Sequence, residues 1–449
     1  MEAGERRKGA ASARRGKPLK GAVAAPGDKS VSHRALILGG LAEGETSVHG
    51  LLEADDVLRT AGAMRALGAG VERDRTQDGP LWRIVGGPWR APSRSLYFGN
   101  SGTGARLVMG AVAGRGVRAS FDGDASLRRR PMGRILDPLR LMGAQAFDEE
   151  GRLPVEILAG APLKAVDFTL PQPSAQIKSA ILLAGLGAAG ETIVREPAPC
   201  RDHTERMLAG FGARVGVEAD GAGGRIIRLA GGQVLKAAAV KVPGDPSSAA
   251  FLIAAALIVP GSDVLVRNVL VNPLRIGFFE TLQEMGARLA LENPREEGGE
   301  PVADIRARHS ALKGVEVPAS RAASMIDEYP ILSVIAAFAE GETFMPGIEE
   351  LRVKESDRIA SVEAGLKANG VAATSGPDWL RVTGRGGAVA GGARVAANAD
   401  HRIAMSFLVM GLASKDSVEI DDAAMIATSF PGFFALMREI GASIEGLGA

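Results

Sequence analysis

Val57-Leu58-Arg59-Thr60-Ala61-Gly62-Ala63-Met64-Arg65-Ala66-Leu67-Gly68-Ala69 reads as an amphipathic helix closed by a glycine. Val57, Leu58, Ala61, Met64, Ala66 and Leu67 recur near the helical period, and Gly68 suits the left-handed conformation in which many helices end. The same ending returns as Met142-Gly143-Ala144, Phe211-Gly212-Ala213, Met285-Gly286-Ala287 and Ile440-Gly441-Ala442, with a weaker copy at Asn369-Gly370-Val371. Successive glycines stand 69 to 84 residues apart, and each precedes a short apolar run of strand character. A fixed period of this kind decides the fold before any single element does.

A second series runs between the first. Ala42-Glu43-Gly44-Glu45-Thr46, Ala189-Gly190-Glu191-Thr192 and Ala339-Glu340-Gly341-Glu342-Thr343 are near copies, with looser versions at Gly116, Gly261 and Ser414. Each follows a more apolar helix, such as the one through Ala35–Leu41, and leads into a strand-like run. The expected fold is therefore α/β, built from six units of about 75 residues, each with one buried helix, one amphipathic helix and several strands. Pro243-Gly244-Asp245-Pro246-Ser247 echoes Pro26-Gly27-Asp28-Lys29-Ser30, which places the break between two similar halves near Ala239–Val242. Ligand sites favour such interfaces.

Composition narrows the class. The 449 residues are 46% hydrophobic and 23% charged, with a net charge of +1, so no overall field draws a polyanion. Aromatics make up only 4%, leaving few platforms for stacking bases. One cysteine, Cys200, excludes an intrachain disulfide, and the five histidines show no i, i+4 metal pair. The longest apolar runs, near Ser248–Pro260 and Ser179–Gly190, fall short of the ~20 residues of a membrane span. The start of the chain, with Arg6, Arg7, Lys8, Arg14, Arg15 and Lys17, has no apolar stretch of the signal-peptide kind. A cytoplasmic protein with neither nucleic-acid nor membrane partners is expected.

Polar clusters gather where helices begin. The buried series starts at Lys29-Ser30-Val31-Ser32-His33-Arg34, Asn100-Ser101-Gly102-Thr103, Ser174-Ala175-Gln176-Ile177-Lys178, Asp245-Pro246-Ser247-Ser248, Asp327-Glu328-Tyr329 and Asp400-His401-Arg402. The amphipathic series starts near Arg130-Pro131-Met132-Gly133-Arg134, Arg201-Asp202-His203-Thr204-Glu205, Asn272-Pro273-Leu274-Arg275 and Lys354-Glu355-Ser356-Asp357-Arg358. Free N–H groups and the helix dipole favour phosphate or carboxylate at such ends, and Arg or Lys adds charge-assisted hydrogen bonds. Ordinary capping explains any one cluster but not ten, most of them carrying a cation. A substrate with several anionic groups fits best. Gly99–Gly104 lacks the Lys-Ser/Thr ending of a nucleotide phosphate loop.

These clusters resemble the 5-enolpyruvylshikimate-3-phosphate synthase family over about Leu19–Gly446. Pro26–Ser30, Asn100–Gly104, Arg130–Arg134, Ser174–Gln176, Arg352–Arg358 and Asp400–Arg402 stand in the family's order, and the Ser-Ala-Gln-Ile-Lys and Arg-Asp-His-Thr-Glu spellings match its bacterial class II branch. The resemblance implies two similar domains, each with three βαβαββ repeats about a pseudo-threefold axis, and a chain that crosses between them twice. The basic start reads as a short disordered tail over 1–17, and the double crossing implies that the opening segment joins the C-terminal half, with 18–27 plus 243–449 as one domain, 28–242 as the other and the active-site cleft between them. The implied activity is transfer of the enolpyruvyl group of phosphoenolpyruvate to the 5-hydroxyl of shikimate 3-phosphate, with release of phosphate.

By the same similarity, Lys29, Ser30, Arg34, Ser174, Ala175, Gln176, Arg201, Asp327 and Lys354 hold shikimate 3-phosphate. Lys29, Asn100, Gly102, Arg130, Gln176, Arg358 and Arg402 hold phosphoenolpyruvate. Asp327 is the candidate to take the hydroxyl proton, and Glu355 or Lys354 to give and recover the C3 proton, with Lys29 also catalytic. The plainer readings, Asp327 as a helix cap and Glu355 as a partner for Arg358, stay open. No metal or organic cofactor is expected, a monomer is, and Gly102 marks glyphosate as an expected inhibitor. Two departures stand out: Leu274 replaces the usual Thr, and Thr428 lies in a motif that supplies lysine in the other branch. The competing assignments are enolpyruvyl transfer to UDP-N-acetylglucosamine, whose enzymes carry a cysteine in the loop that here reads Asp124–Arg134, and an RNA 3′-end protein of similar fold.

Overall fold

The computed structural model describes residues 9–446 except 78 and 161, so the beginning of the basic stretch, through Lys8, lies outside the described residues. The chain divides into two compact units. The first comprises Gly27–Pro243 with Glu296–Glu300, and the second the residues up to Pro26, Gly244–Arg295 and those from Pro301 onward.

The expected repeat is present in both. In the first unit each sheet has four strands, in the order Ala239–Lys241, Glu45–His49, Gly79–Val85, Gly70–Thr76; Leu96–Tyr97, Ala119–Asp122, Arg152–Ile157, Ala146–Glu149; and Asp167–Thr169, Glu191–Glu196, Arg225–Ala230, Val215–Ala219. In every case the outer first strand runs parallel to the second, and the last two form an antiparallel hairpin. A parallel neighbour demands a crossover, which the buried helix of each repeat supplies. Two first strands are exchanged between the units. Lys20–Ala24 precedes the helix Lys29–Leu41 of the first unit yet pairs with Asp263–Leu270 of the second. Ala239–Lys241 precedes the helix Pro246–Ile258 of the second unit yet pairs with Glu45–His49 of the first.

The glycines behave as their positions require. Gly68, Gly143, Gly212, Gly286, Gly370 and Gly441 all have positive φ, between 79° and 110°, and so close the six amphipathic helices.

One expectation fails at the N-terminus. Ala11–Ala13 is a strand, not part of a disordered tail over 1–17. It lies antiparallel to Val418–Ile420 on one side and Ile444–Gly446 on the other. The sixth repeat reaches Ile444–Gly446 without a following hairpin strand of its own, and Ala11–Ala13 takes that inner position. Ala11 and Ala13 are accordingly buried.

Three buried helices form the centre of each unit. In the first these are Lys29–Leu41, Gly102–Arg115 and Ala175–Gly185. The last two pack backbone to backbone, since a Cβ on Gly110 would overlap the Ala180 carbonyl. In the second they are Pro246–Ile258, Tyr329–Phe338 and His401–Gly411, which pack on one another. Every residue of Pro246–Ile258 is buried. Truncating a core position such as Leu252 to Ala removes about 2–5 kcal/mol. Four of the six helix starts carry a side-chain cap, from Asp28, Ser174, Asp245 and Asp400, as in Asp28 on Val31 N (2.8 Å) and Asp400 on Arg402 N (2.9 Å), which satisfies free amides inside this apolar setting.

Candidate active site

In the first unit, the starts of the three buried helices carry Lys29, Gly102 and Gln176. Lys29 Nζ lies 3.1 Å from Asp56 Oδ2 and keeps 19% of its side-chain surface exposed. Arg34, one turn further and buried, donates from Nη1 to the Ser30 carbonyl (2.9 Å), from Nε to Thr204 Oγ1 (2.7 Å) and from Nη2 to Ser179 Oγ (2.7 Å). It thereby joins the Lys29 helix to the helices Ala175–Gly185 and His203–Gly210. Burial, the largest influence, lowers its pKa to about 10, opposed by Glu205 and Asp28 and aided by Arg201, so it stays a cation at neutral pH. His33, beside it, is held neutral by burial and by Lys29 and Arg34.

Arg130 donates from Nη1 to the Asn100 carbonyl (3.3 Å) and from Nη2 to both Asn100 Oδ1 and Ser126 Oγ. Asn100 in turn donates to Asp124 Oδ2 at 3.1 Å. Gln176 donates to Thr103 Oγ1 (2.9 Å) and accepts from Arg106 Nη1 (2.7 Å). Arg106 was not among the expected residues, although its signal is visible: a cation four residues after Gly102, within an apolar helix. Gly102 lies between the two arginines. A Cβ there would come within 3.1 Å of Arg130 Nη1 and 3.2 Å of Arg106 Nη1. Ser174 caps Ile177 N weakly at 3.4 Å, and Ala175 begins the helix.

A buried ion cluster supports this set. Lys178 Nζ lies 2.8 Å from Glu196 Oε1 and 2.6 Å from Glu205 Oε1, and the Cys200 thiol donates to Glu196 Oε1 at 2.7 Å. Burial works against the Lys178 charge, but the surrounding carboxylates outweigh it and raise its pKa. Burial pushes the Cys200 thiol up, which leaves it unreactive.

In the second unit the expected residues collect around Arg358, which is 1% exposed. Its Nε lies 2.8 Å from Asp400 Oδ2, Nη2 2.6 Å from Glu355 Oε2 and Nη1 3.4 Å from Asp327 Oδ1. These carboxylates outweigh the burial and raise the Arg358 pKa. Arg402 donates from Nη1 to the Asp327 carbonyl (3.2 Å), and its Nε lies 3.9 Å from Asp327 Oδ1. Lys354 Nζ lies 3.4 Å from Glu350 Oε1. Desolvation leads in lowering the Lys354 pKa, with Arg358 in the same direction and Glu350, Asp327 and Glu355 opposing. A quarter of its side-chain surface (25%) stays exposed, which moderates the effect. Asp400, fully buried, also accepts from Ser356 Oγ (3.1 Å) and caps its own helix. The sequence pattern exposed Asp400 as a motif residue but gave no reason to assign it the ion pair with Arg358.

The described residues include one trio with metal-ligand atoms within 4.8 Å of one another: Asp202, His203 and Glu300, all in the first unit. Arg206 Nε stands 3.0 Å from Asp202 Oδ2 and 3.7 Å from Glu300 Oε2, so a guanidinium already supplies positive charge there. The two departures are structural facts as well. Leu274 brings only its backbone N–H, donated to Asn272 Oδ1 (2.9 Å), and Thr428 Oγ1 donates to the Met425 carbonyl (2.7 Å).

Residues 13–437 match the family model described as EPSP synthase (3-phosphoshikimate 1-carboxyvinyltransferase). A 3-phosphoshikimate 1-carboxyvinyltransferase of Phenylobacterium zucineum is 59% identical over 434 residues, covering 96% of this chain and 95% of that one. One from Roseobacter denitrificans is 58% identical over 434 residues, covering 95% and 96%. The solved EPSP synthase structure from Acinetobacter baumannii is similar with a TM-score of 0.85 and 44% identity, across 98% of this chain and 99% of that one.

Proposed function

The chain belongs to the EPSP synthase family, and from that premise we propose how its residues divide the work. The reaction moves the enolpyruvyl group of phosphoenolpyruvate to the 5-hydroxyl of shikimate 3-phosphate and releases phosphate. The hydroxyl oxygen adds to C2 while C3 gains a proton, giving a tetrahedral intermediate. Collapse then breaks the C2–O bond to phosphate and returns the C3 proton.

In this reading Lys29, Ser30, Arg34, Ser174, Ala175, Gln176 and Arg201 hold shikimate 3-phosphate, together with Asp327 and Lys354. Asn100, Gly102, Arg130, Arg358 and Arg402 hold phosphoenolpyruvate, with Lys29 and Gln176 serving both. Fixing two anionic substrates turns a bimolecular encounter into an oriented one and stabilises charge on the departing phosphate. Asp327 takes the hydroxyl proton. The guanidiniums of Arg358 and Arg402 stand beside its carboxylate and hold it in place. Lys354, with its lowered pKa, exchanges the C3 proton, and Glu355, paired with Arg358, is its alternative. The observation that carries the assignment is the gathering of Asp327, Glu355 and Asp400 on the single buried guanidinium of Arg358.

Phosphate release from phosphoenolpyruvate tests it, with shikimate 3-phosphate and UDP-N-acetylglucosamine supplied separately. Release with shikimate 3-phosphate alone supports the reading, and release with the nucleotide sugar alone sinks it. The reading extends to a monomer working in the cytoplasm and to inhibition by glyphosate. No helix among the described residues is long and apolar enough to cross a membrane. Gly102→Ala is expected to raise the glyphosate concentration for half inhibition at least tenfold, because the added methyl crowds the Arg130 and Arg106 guanidiniums. An unchanged inhibition curve would count against it.

A further inference from the structure

We propose that a cavity in the first unit binds an α-amino acid with an apolar side chain. The cavity measures about 140 Å³, and its lining includes Leu41, Glu43, Arg115, Leu183, Leu186 and Leu235. It sits where the three buried helices end. Leu41 closes the helix that begins at Lys29, Arg115 the one that begins at Gly102, and Leu186 caps the one that begins at Ala175. Each helix is 11 to 14 residues long, so the cavity lies roughly 20 Å from the cluster at their starts. None of its lining residues belongs to the set assigned to phosphoenolpyruvate or shikimate 3-phosphate, and the inference stands independently of that assignment.

Two charged groups in the lining have no opposite charge of their own. Arg115 donates from Nη2 to the Leu41 carbonyl (2.7 Å), and among the described residues no carboxylate pairs with it. Its side chain is open to solvent, yet the surrounding protein lowers its pKa by desolvation, as expected of a cation in a walled recess. Glu43 is held by its backbone, N–H to the Leu235 carbonyl (2.9 Å) and carbonyl to the Ala237 N–H (2.9 Å). Its carboxylate makes no hydrogen bond or ion pair among the described residues.

Arg115 suits a carboxylate. Glu43 suits an ammonium, reinforced by the partial negative charge of the converging helix C-termini. Leu183 and Leu235 are each 3% exposed and give the recess its apolar wall. A 150 Å³ apolar cavity accommodates benzene, so a recess of this volume with a leucine wall suits a side chain no larger than phenyl or isobutyl. A zwitterion with such a side chain satisfies all three features. A plain carboxylate leaves Glu43 unmatched, and an amine leaves Arg115 unmatched.

Isothermal titration of the full chain tests the assignment, with L-phenylalanine and L-leucine as probes. L-phenylalaninamide, which lacks the carboxylate, and 3-phenylpropionate, which lacks the ammonium, are the comparison probes. Saturable binding with a Kd on the order of 1 mM or tighter is expected, weakened about tenfold for each comparison probe. Arg115→Gln should erase the preference over the amide, Glu43→Gln the preference over phenylpropionate, and Leu186→Trp should fill the recess and abolish binding. Both charge substitutions fall at exposed positions, so folding is not at risk. No saturable binding to the unmodified protein overturns the proposal. So does phenylpropionate binding as tightly as phenylalanine, or binding indifferent to Arg115→Gln and Glu43→Gln.

Discussion

The two units share one scaffold and differ in the charge they place on it. At the helix starts of the first, the cations Lys29, Arg34, Arg106, Arg130, Lys178 and Arg201 stand against the carboxylates of Asp28, Asp56, Asp124, Asp202 and Glu205. Around Arg358 in the second, Asp327, Glu350, Glu355 and Asp400 outnumber Lys354, Arg358 and Arg402. The backbone contribution is alike in both, since every helix start offers free amides and the positive end of a dipole. Side chains therefore make the difference. A surplus of cations, among which Arg34 donates to Thr204 and Ser179 and Arg130 to Asn100, suits the capture of anions. A surplus of carboxylates on shared guanidiniums suits the movement of protons.

The largest test of that contrast is Asp327→Ala. It should lower kcat by about 10² to 10⁴ while changing shikimate 3-phosphate affinity less than tenfold. A loss confined to KM would make the second unit a binding surface like the first. Next in size is truncation through Lys17, which removes the inner strand of one second-unit sheet. It should destabilise that unit by a few kcal/mol, at about 1 kcal/mol per lost hydrogen bond, and leave the first unit's amides protected in hydrogen exchange. Uniform loss of protection would show that the units do not unfold separately.

Lys354→Arg sharpens the proton assignment. The protonated amine that gives the C3 proton is present below the lowered pKa and lost as pH rises through it, so kcat should fall on the alkaline side. Arginine keeps its charge there, so the alkaline limb should vanish along with about 10² of the rate. A limb that stays in place assigns the proton to another group, Glu355 first. Arg130→Gln is the smallest effect and belongs to the first unit. KM for phosphoenolpyruvate should rise about tenfold with kcat little changed, and a collapse of kcat instead would erase the distinction between capture and chemistry.

Much of this was legible in the sequence, for a local reason. A glycine that ends a helix and a polar group that begins one act within a few residues, so Gly68 and its five counterparts marked the repeats and the helix starts marked the candidate residues. What remained hidden depends on pairing between distant segments. Arg106 lies in plain view as a cation among apolar neighbours, but its partner Gln176 is 70 residues away. Asp400 caps a helix, as expected of an aspartate there, while its bond to Arg358 spans 42 residues. Ala11–Ala13 is the extreme case. Ala11-Ser12-Ala13 alternates, but three small residues are too short a run to distinguish a strand from a tail.

That strand also sets an order on biosynthesis. Apart from Glu296–Glu300, the first unit is complete once Pro243 has left the ribosome. Ala11–Ala13 is made long before one of its two neighbours, Ile444–Gly446. At 5–20 residues per second, it waits roughly 20 to 90 s for that neighbour. Ala11–Ala13 thus closes the last repeat, and its sheet cannot be completed before Ile444–Gly446 has been made.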